Sequence, residues 1–116
     1  PGNQDGSAEM AGQEFSRMRE GSVLINTARG TLIDEDALHQ ALTNGPLAAA
    51  GLDVTRSEPP PADLPLLQLD NVFFSPHIAG VTREAFRAMG LRAMQNCLDA
   101  IDGRLDPYYV INPEAI

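Results

Sequence analysis

An α/β fold built on a parallel sheet is what this sequence predicts, on three observations. Short apolar runs at residues 23–27, 48–54 and 72–75 have the length and unbroken apolar character of buried strands. A helical segment of about ten residues joins the first two, which makes a βαβ unit. A longer amphipathic stretch, residues 83–102, follows the third. Each run also breaks off just before a residue able to do chemistry: Arg29, Glu58 and His77 in turn. In a parallel sheet these would gather at the carboxyl edge, where open α/β sheets bind their ligands.

The elements follow in order. Residues 1–7, Pro-Gly-Asn-Gln-Asp-Gly-Ser, are loop-like, lack an initiator methionine and read as something begun in the middle. Residues 9–18 have helical composition interrupted by Gly12, giving one or two short turns with Phe15 and Met18 facing inward. After a turn at residues 20–22, the β-branched run 23–27 is expected to be covered on both faces. Asp34 caps a helix through about Asn44, with Ala37, Leu38, Ala41 and Leu42 on one side and Gly45 as its C′ stop. Residues 48–54 form the second strand. Pro59, Pro60, Pro61 and Pro65 stiffen the next connection and leave room for a short turn at residues 66–69. Residues 72–75 are the third strand. Thr82 then caps the long helix over residues 83–102, with Gly103 at its end. Ala85, Phe86, Met89, Ala93, Met94, Cys97, Leu98 and Ile101 recur at spacings of three and four, a wide apolar face expected to pack in a core. Met10 and Met18 are also read as core, and Cys97 as buried. The tail, residues 105–116, holds Pro107 and Pro113 and is expected to run extended.

Composition narrows the function. The 116 residues suit one modest domain, and the formal net charge is −8 with arginine as the only strongly basic residue. An acidic chain without a basic cluster argues against nucleic-acid binding, which relies on neutralising phosphates. No apolar stretch approaches the roughly 18 residues of a membrane span, and no export signal is recognisable. The single cysteine excludes an internal disulfide and fits a cytoplasmic protein. One Cys and two distant His do not build a usual zinc site, so no metal is expected.

Gly21-Ser-Val-Leu-Ile-Asn-Thr-Ala-Arg29-Gly30, then Gly51-Leu-Asp-Val54 with Glu58-Pro59, then Ser75-Pro-His-Ile-Ala-Gly80 together resemble the D-isomer-specific 2-hydroxyacid dehydrogenases. All three segments stand in family order, and the resemblance covers roughly residues 7–114. It implies the second half of a doubly wound, Rossmann-like parallel sheet with a long C-terminal helix. Residues 1–116 would be the C-terminal portion of a nucleotide-binding domain. The Gly-x-Gly-x-x-Gly half and the substrate-binding domain of complete members are absent here, so activity of the chain alone is not expected.

The resemblance implies hydride exchange between NAD or NADP and the C2 carbon of a D-2-hydroxy acid or 2-keto acid, in a homodimer. Arg29 would grip the substrate carboxylate, for which a guanidinium offers a planar fork of donors. His77 would donate the proton in reduction and accept it in oxidation, as an imidazole titrating near neutrality can. Glu58 would hold the imidazole. Asp53 would accept a hydrogen bond from the nicotinamide carboxamide, with Thr27, Ala28 and Arg29 lining the cofactor. Ala79 and Gly80, small residues after His77, would let the ring approach.

Each residue also has a plain structural reading. Arg29 could tie a loop together, Glu58 could be a solvated acid before a proline, and a strand-end His77 could be satisfied by backbone. Asp53 could cap a turn. A different class of function stays open as well: a non-catalytic remnant that binds itself or another protein through the unpaired sheet edge.

Overall fold

The structure, a computed structural model, describes residues 7–112 and 114. The expectations for residues 1–6, and those for Pro113 and the final two residues of the tail, lie outside the described residues. Helix α1 spans Gly12–Ser16, strand β1 Ser22–Asn26, helix α2 Glu35–Thr43, strand β2 Leu47–Leu52, strand β3 Val72–Phe74 and helix α3 Arg83–Ile101. Short 3-10 turns lie at Gly30–Leu32, Pro65–Gln68 and Pro107–Tyr109. The chain divides into two compact units, one ending at Ala79 and the other beginning at Gly80.

The first unit holds a three-stranded sheet in the order β1-β2-β3, all parallel. Asn26 pairs with Leu52 and Leu52 with Phe74, so the three strands end level on one rim. The α/β fold with a parallel sheet is therefore as the sequence predicts. Asp34 caps α2 by accepting the Ala37 N–H (2.9 Å), and Glu35 and Asp36 favour the positive end of the helix. Leu38, Ala41 and Leu42 bury one face of α2 against Leu47, Ala50 and Leu52 of β2, with Phe15 and Leu66 completing the core. Gly45 does end this helix, but for lack of space. Its φ is not positive, and a Cβ there would stand 2.8 Å from the Ala41 Cα.

In the first unit, the expectations for residues 9–10, for Gly12 and for the covering of β1 are corrected. Residues 9 and 10 are not helical: their N–H groups donate to the Leu32 carbonyl, and Met10 bridges Ile33 in parallel. Gly12 thus begins α1 rather than interrupting it. Phe15 is buried as expected, and Met10 and Met18 pack at the margin of the core. Strand β1 is covered on one face only, because its alternate residues Val23 and Ile25 are exposed, the latter 73%. Ile25, Gly51 and Phe73 share one row across that bare face, and Phe73 is 83% exposed.

The second unit contains α3, capped by Thr82, which accepts the Ala85 N–H (3.0 Å). No residue of α3 is buried: Phe86, Met89, Met94 and Leu98 are exposed, as is Cys97. Periodicity marks a face that repels water, not the element that covers it. One helix and a 3-10 turn are too few to enclose such a stripe. The tail is not simply extended either. Asp106 caps the Pro107–Tyr109 turn, and the Tyr109 ring lies 5.0 Å from the Arg92 guanidinium carbon.

Candidate active site

Because the strands are parallel and end level, three loops leave the same rim of the first unit. Asn26, the last residue of β1, is 6% exposed and ties down the first loop. Its Nδ2 donates to the Arg29 carbonyl (2.9 Å), and its Oδ1 accepts the Ala28 N–H (3.0 Å). This bracket leaves Thr27, Ala28 and Arg29 exposed on the rim. The Arg29 guanidinium donates to the neighbouring Ala28 carbonyl (2.6 Å) and so stays close to its own turn.

Gly30 joins this loop to the next. A Cβ built there would overlap the Thr55 carbonyl group and the Arg56 nitrogen, so the two backbones touch. The second loop is also held by Glu35, whose Oε1 accepts the Arg56 N–H (2.8 Å). Within it Thr55 donates its hydroxyl to the Ser57 carbonyl (2.7 Å) and its N–H to Glu58 Oε1 (3.3 Å). Glu58 Oε2 then meets His77 Nδ1 at 2.7 Å. The hydrogen bond to His77 is the main influence holding the Glu58 carboxyl below its ordinary value, against an upward push from burial. The Thr55 N–H and the charges of His77 and Arg29 add to the lowering.

The third loop is wrapped around Asp53, which is 5% exposed. Asp53 Oδ1 accepts the Ser75 hydroxyl (2.6 Å) and the Ile78 N–H (2.9 Å), and Oδ2 accepts the Ala79 N–H (2.8 Å). The His77 N–H donates to the Asp53 carbonyl (2.9 Å). The Ser75 hydroxyl is the largest influence lowering the Asp53 pKa; burial opposes it, and the Ala79 and Ile78 N–H groups and the His77 charge assist. His77 itself has φ 54°, the left-handed region that residues with a side chain seldom adopt. A cleft of about 410 Å³ opens between the second and third loops, lined among others by Asp53, Glu58, Pro59, Leu67, Phe74 and His77.

The structure thus joins Glu58 to His77 directly, and Asp53 to the backbone of Ala79. It sets the Arg29 loop against the Glu58 loop through Gly30. Thr27, Ala28 and Arg29 do not line the cleft. Gly80 opens the second unit, where a Cβ would meet nothing within 4 Å. Asn26, Thr55 and Ser75, to which the sequence assigned no role, help build the site. For Asn26 and Ser75 the visible signal was a polar residue closing an apolar run.

Chemically, Glu58 is an acceptor for one ring nitrogen, so the proton between them belongs on Nδ1 and the neutral imidazole keeps its lone pair on Nε2. The Asp53 carboxylate offers about four acceptor positions, and among the described residues the three bonds above leave one, on Oδ2. That vacancy suits an amide N–H.

A family model described as "D-isomer specific 2-hydroxyacid dehydrogenase, NAD binding domain" matches residues 1–79. The chain belongs to this family. It is 44% identical over 90 residues to a D-3-phosphoglycerate dehydrogenase of Archaeoglobus fulgidus, covering 78% of this chain and 17% of that protein. It is 43% identical over 102 residues to a glyoxylate/hydroxypyruvate reductase B of Salmonella newport, covering 88% of this chain and 31% of the relative. Among solved structures, the TT0316 protein of Thermus thermophilus superposes with a TM-score of 0.81 at 38% identity, over 92% of this chain and 34% of that one. This dehydrogenase-family chain therefore spans about a third or less of each relative. The expectation of a nicotinamide dinucleotide agrees with the NAD binding domain that the family model describes.

Proposed function

We propose that the chain is the catalytic, cofactor-side segment of an oxidoreductase that interconverts D-2-hydroxy acids and 2-keto acids. The bound cofactor, NAD or NADP, would supply or accept the hydride at C2. Arg29 binds the substrate carboxylate two-point and draws charge from the C2 oxygen. His77 moves the proton at Nε2: in reduction the imidazolium gives it to the C2 oxygen, and in oxidation the neutral ring takes it back. Glu58 keeps the ring in one orientation, and general acid-base assistance by such an imidazole is worth about 10²–10⁴-fold. The spare acceptor on Asp53 Oδ2 suits the nicotinamide carboxamide, while Thr27, Ala28 and Ala79 of the first unit offer small, open surface to the cofactor.

The 2.7 Å pairing of His77 Nδ1 with Glu58 carries this reading, since it brings together two residues nineteen apart in sequence and leaves Nε2 free among the described residues. The test is Arg29→Lys in the whole protein, assayed with NADH or NADPH and a panel of 2-keto acids. A point charge does not reproduce the guanidinium fork, so most turnover is lost. Activity within about twofold of the parent enzyme would remove Arg29 from this role.

A second reading, self-association, is favoured by the bare row of Ile25 and Phe73 and by the exposed stripe of α3. A homodimer that buries either surface is expected, and a strictly monomeric species in dilute solution by sedimentation would count against it.

A further inference from the structure

We propose that Asp53 and Ser75 are positioning residues for His77: the carboxylate is the anion of a backbone nest whose left-handed member carries the proton-transferring imidazole. The Ile78 and Ala79 N–H groups converge on the Asp53 carboxylate at Oδ1 and Oδ2, while the preceding N–H, of His77, donates to the Asp53 backbone carbonyl (2.9 Å) and is shared with the Ser75 carbonyl (3.0 Å). Successive N–H groups converge in this way where the backbone handedness alternates, and such concavities bind anions. His77 supplies the left-handed step, with φ 54°. A residue with a Cβ is held there only when its surroundings over-determine the conformation. Asp53 provides that determination from the neighbouring strand, anchored because the Asp53 N–H donates to the Asn26 carbonyl (2.9 Å).

Ser75 completes the latch from the other side. Its N–H continues the ladder to the Leu52 carbonyl (3.0 Å), and its hydroxyl fixes Oδ1 at 2.6 Å. The loop is thus clamped on both sides of His77, by Ser75 before it and by Ile78 and Ala79 after it. Pro76 has no N–H to contribute. The imidazole projects from this clamp to meet Glu58, so its place follows from a carboxylate it does not touch. The same hydrogen bonds keep Asp53 ionised below its ordinary value, which holds the latch closed through the neutral and mildly acid range.

The inference rests on the reading of His77 as the proton-transfer group, and the experiment separates the two. In the whole protein, Ser75→Ala is expected to lower kcat on the order of tenfold with KM for cofactor and keto acid unchanged, because ångström-scale misplacement of a reacting group is costly. Ser75→Thr, which keeps the hydroxyl, restores kcat. By amide hydrogen exchange, Ile78 and Ala79 exchange about tenfold faster in Ser75→Ala, while core amides such as Leu38 do not change. A raised cofactor KM with unchanged kcat would make Asp53 a cofactor contact alone and overturn the latch. Unchanged exchange at residues 78 and 79 would overturn it irrespective of activity. Full activity in His77→Asn would instead defeat the proton-transfer reading, and the exchange result would still decide whether the latch exists.

Discussion

Gly30→Ala tests whether the two loops that carry Arg29 and Glu58 are held at a fixed separation. The added methyl would be driven into the Thr55 carbonyl and the Arg56 nitrogen, far inside the 3.0 Å that real Cβ atoms respect. Both obstacles are backbone, so no side chain can swing aside, and the loops must part by roughly an ångström. Asn26 resists from one side through the Arg29 carbonyl, and Glu35 from the other through the Arg56 N–H. Overpacking of a tight contact costs typically about 1–3 kcal/mol, and the parting moves Arg29 away from Glu58. The expected outcome is a free energy of unfolding in urea lowered by that amount, with turnover of the whole protein reduced on the order of 10²-fold. Gly30→Ser should behave likewise, since the obstacle is the Cβ. If the alanine variant unfolds at the parent midpoint and turns over within about twofold, the loops are not in register through Gly30, and the joint placement of Arg29 and Glu58 loses its basis.

Leu38→Ala empties a fully buried position between α2 and the sheet, and should cost about 2–5 kcal/mol in denaturant unfolding; a loss below one would mean the core is not closed there. Asp53 and Glu58 are both held below their ordinary values of 3.8 and 4.5, so the folded chain binds fewer protons than the unfolded one in that range. The stability they contribute is complete above the ordinary values and disappears as pH falls through the lowered ones. Urea unfolding from neutral pH down to about pH 3 should show this slope, and an Asp53→Asn, Glu58→Gln double variant should flatten it. Activity of the whole protein should follow a sigmoidal or bell-shaped pH profile that vanishes in His77→Asn; an unchanged profile would assign proton transfer to another group.

Strand positions and the capped helices were legible because each depends on local pattern. An apolar run between turn residues specifies β1, and Asp34 or Thr82 before a periodic stretch specifies where α2 or α3 begins. What covers a face was not legible. Val23, Ile25 and Phe73 read as core because they are apolar, and Phe86, Met94 and Cys97 because they fall at helical spacing, yet all are exposed. Hydrophobicity records a preference to leave water, while satisfaction of that preference depends on surface supplied from elsewhere. The pairing of Glu58 with His77 was foreseen through the family resemblance. That Asp53 would hold three groups of the His77 loop was not, since only register sets Ser75 beside the end of the neighbouring strand.

The polar residues that end the strands explain why a site can be built within so small a unit. A loop leaving a sheet must satisfy its own backbone groups, and a buried polar side chain at the strand end does so at fixed geometry. Asn26 can both donate and accept, so it brackets a turn by taking the Ala28 N–H and serving the Arg29 carbonyl. Asp53 can only accept, so the loop it holds must present N–H groups, and presenting them in succession forces one residue into the left-handed region. The residue forced there is His77. A carboxamide in place of the Asp53 carboxylate would lose acceptors and a full charge, and a carboxylate in place of the Asn26 carboxamide would repel the Arg29 carbonyl. Exchange of the two residues, Asn26→Asp with Asp53→Asn, keeps overall charge and nearly keeps volume, so it isolates this matching. The swapped protein should lose turnover by at least the product of a misplaced Arg29 and a misplaced His77, and restored activity in the swap would show that charge at the rim, not hydrogen-bond direction, positions the loops.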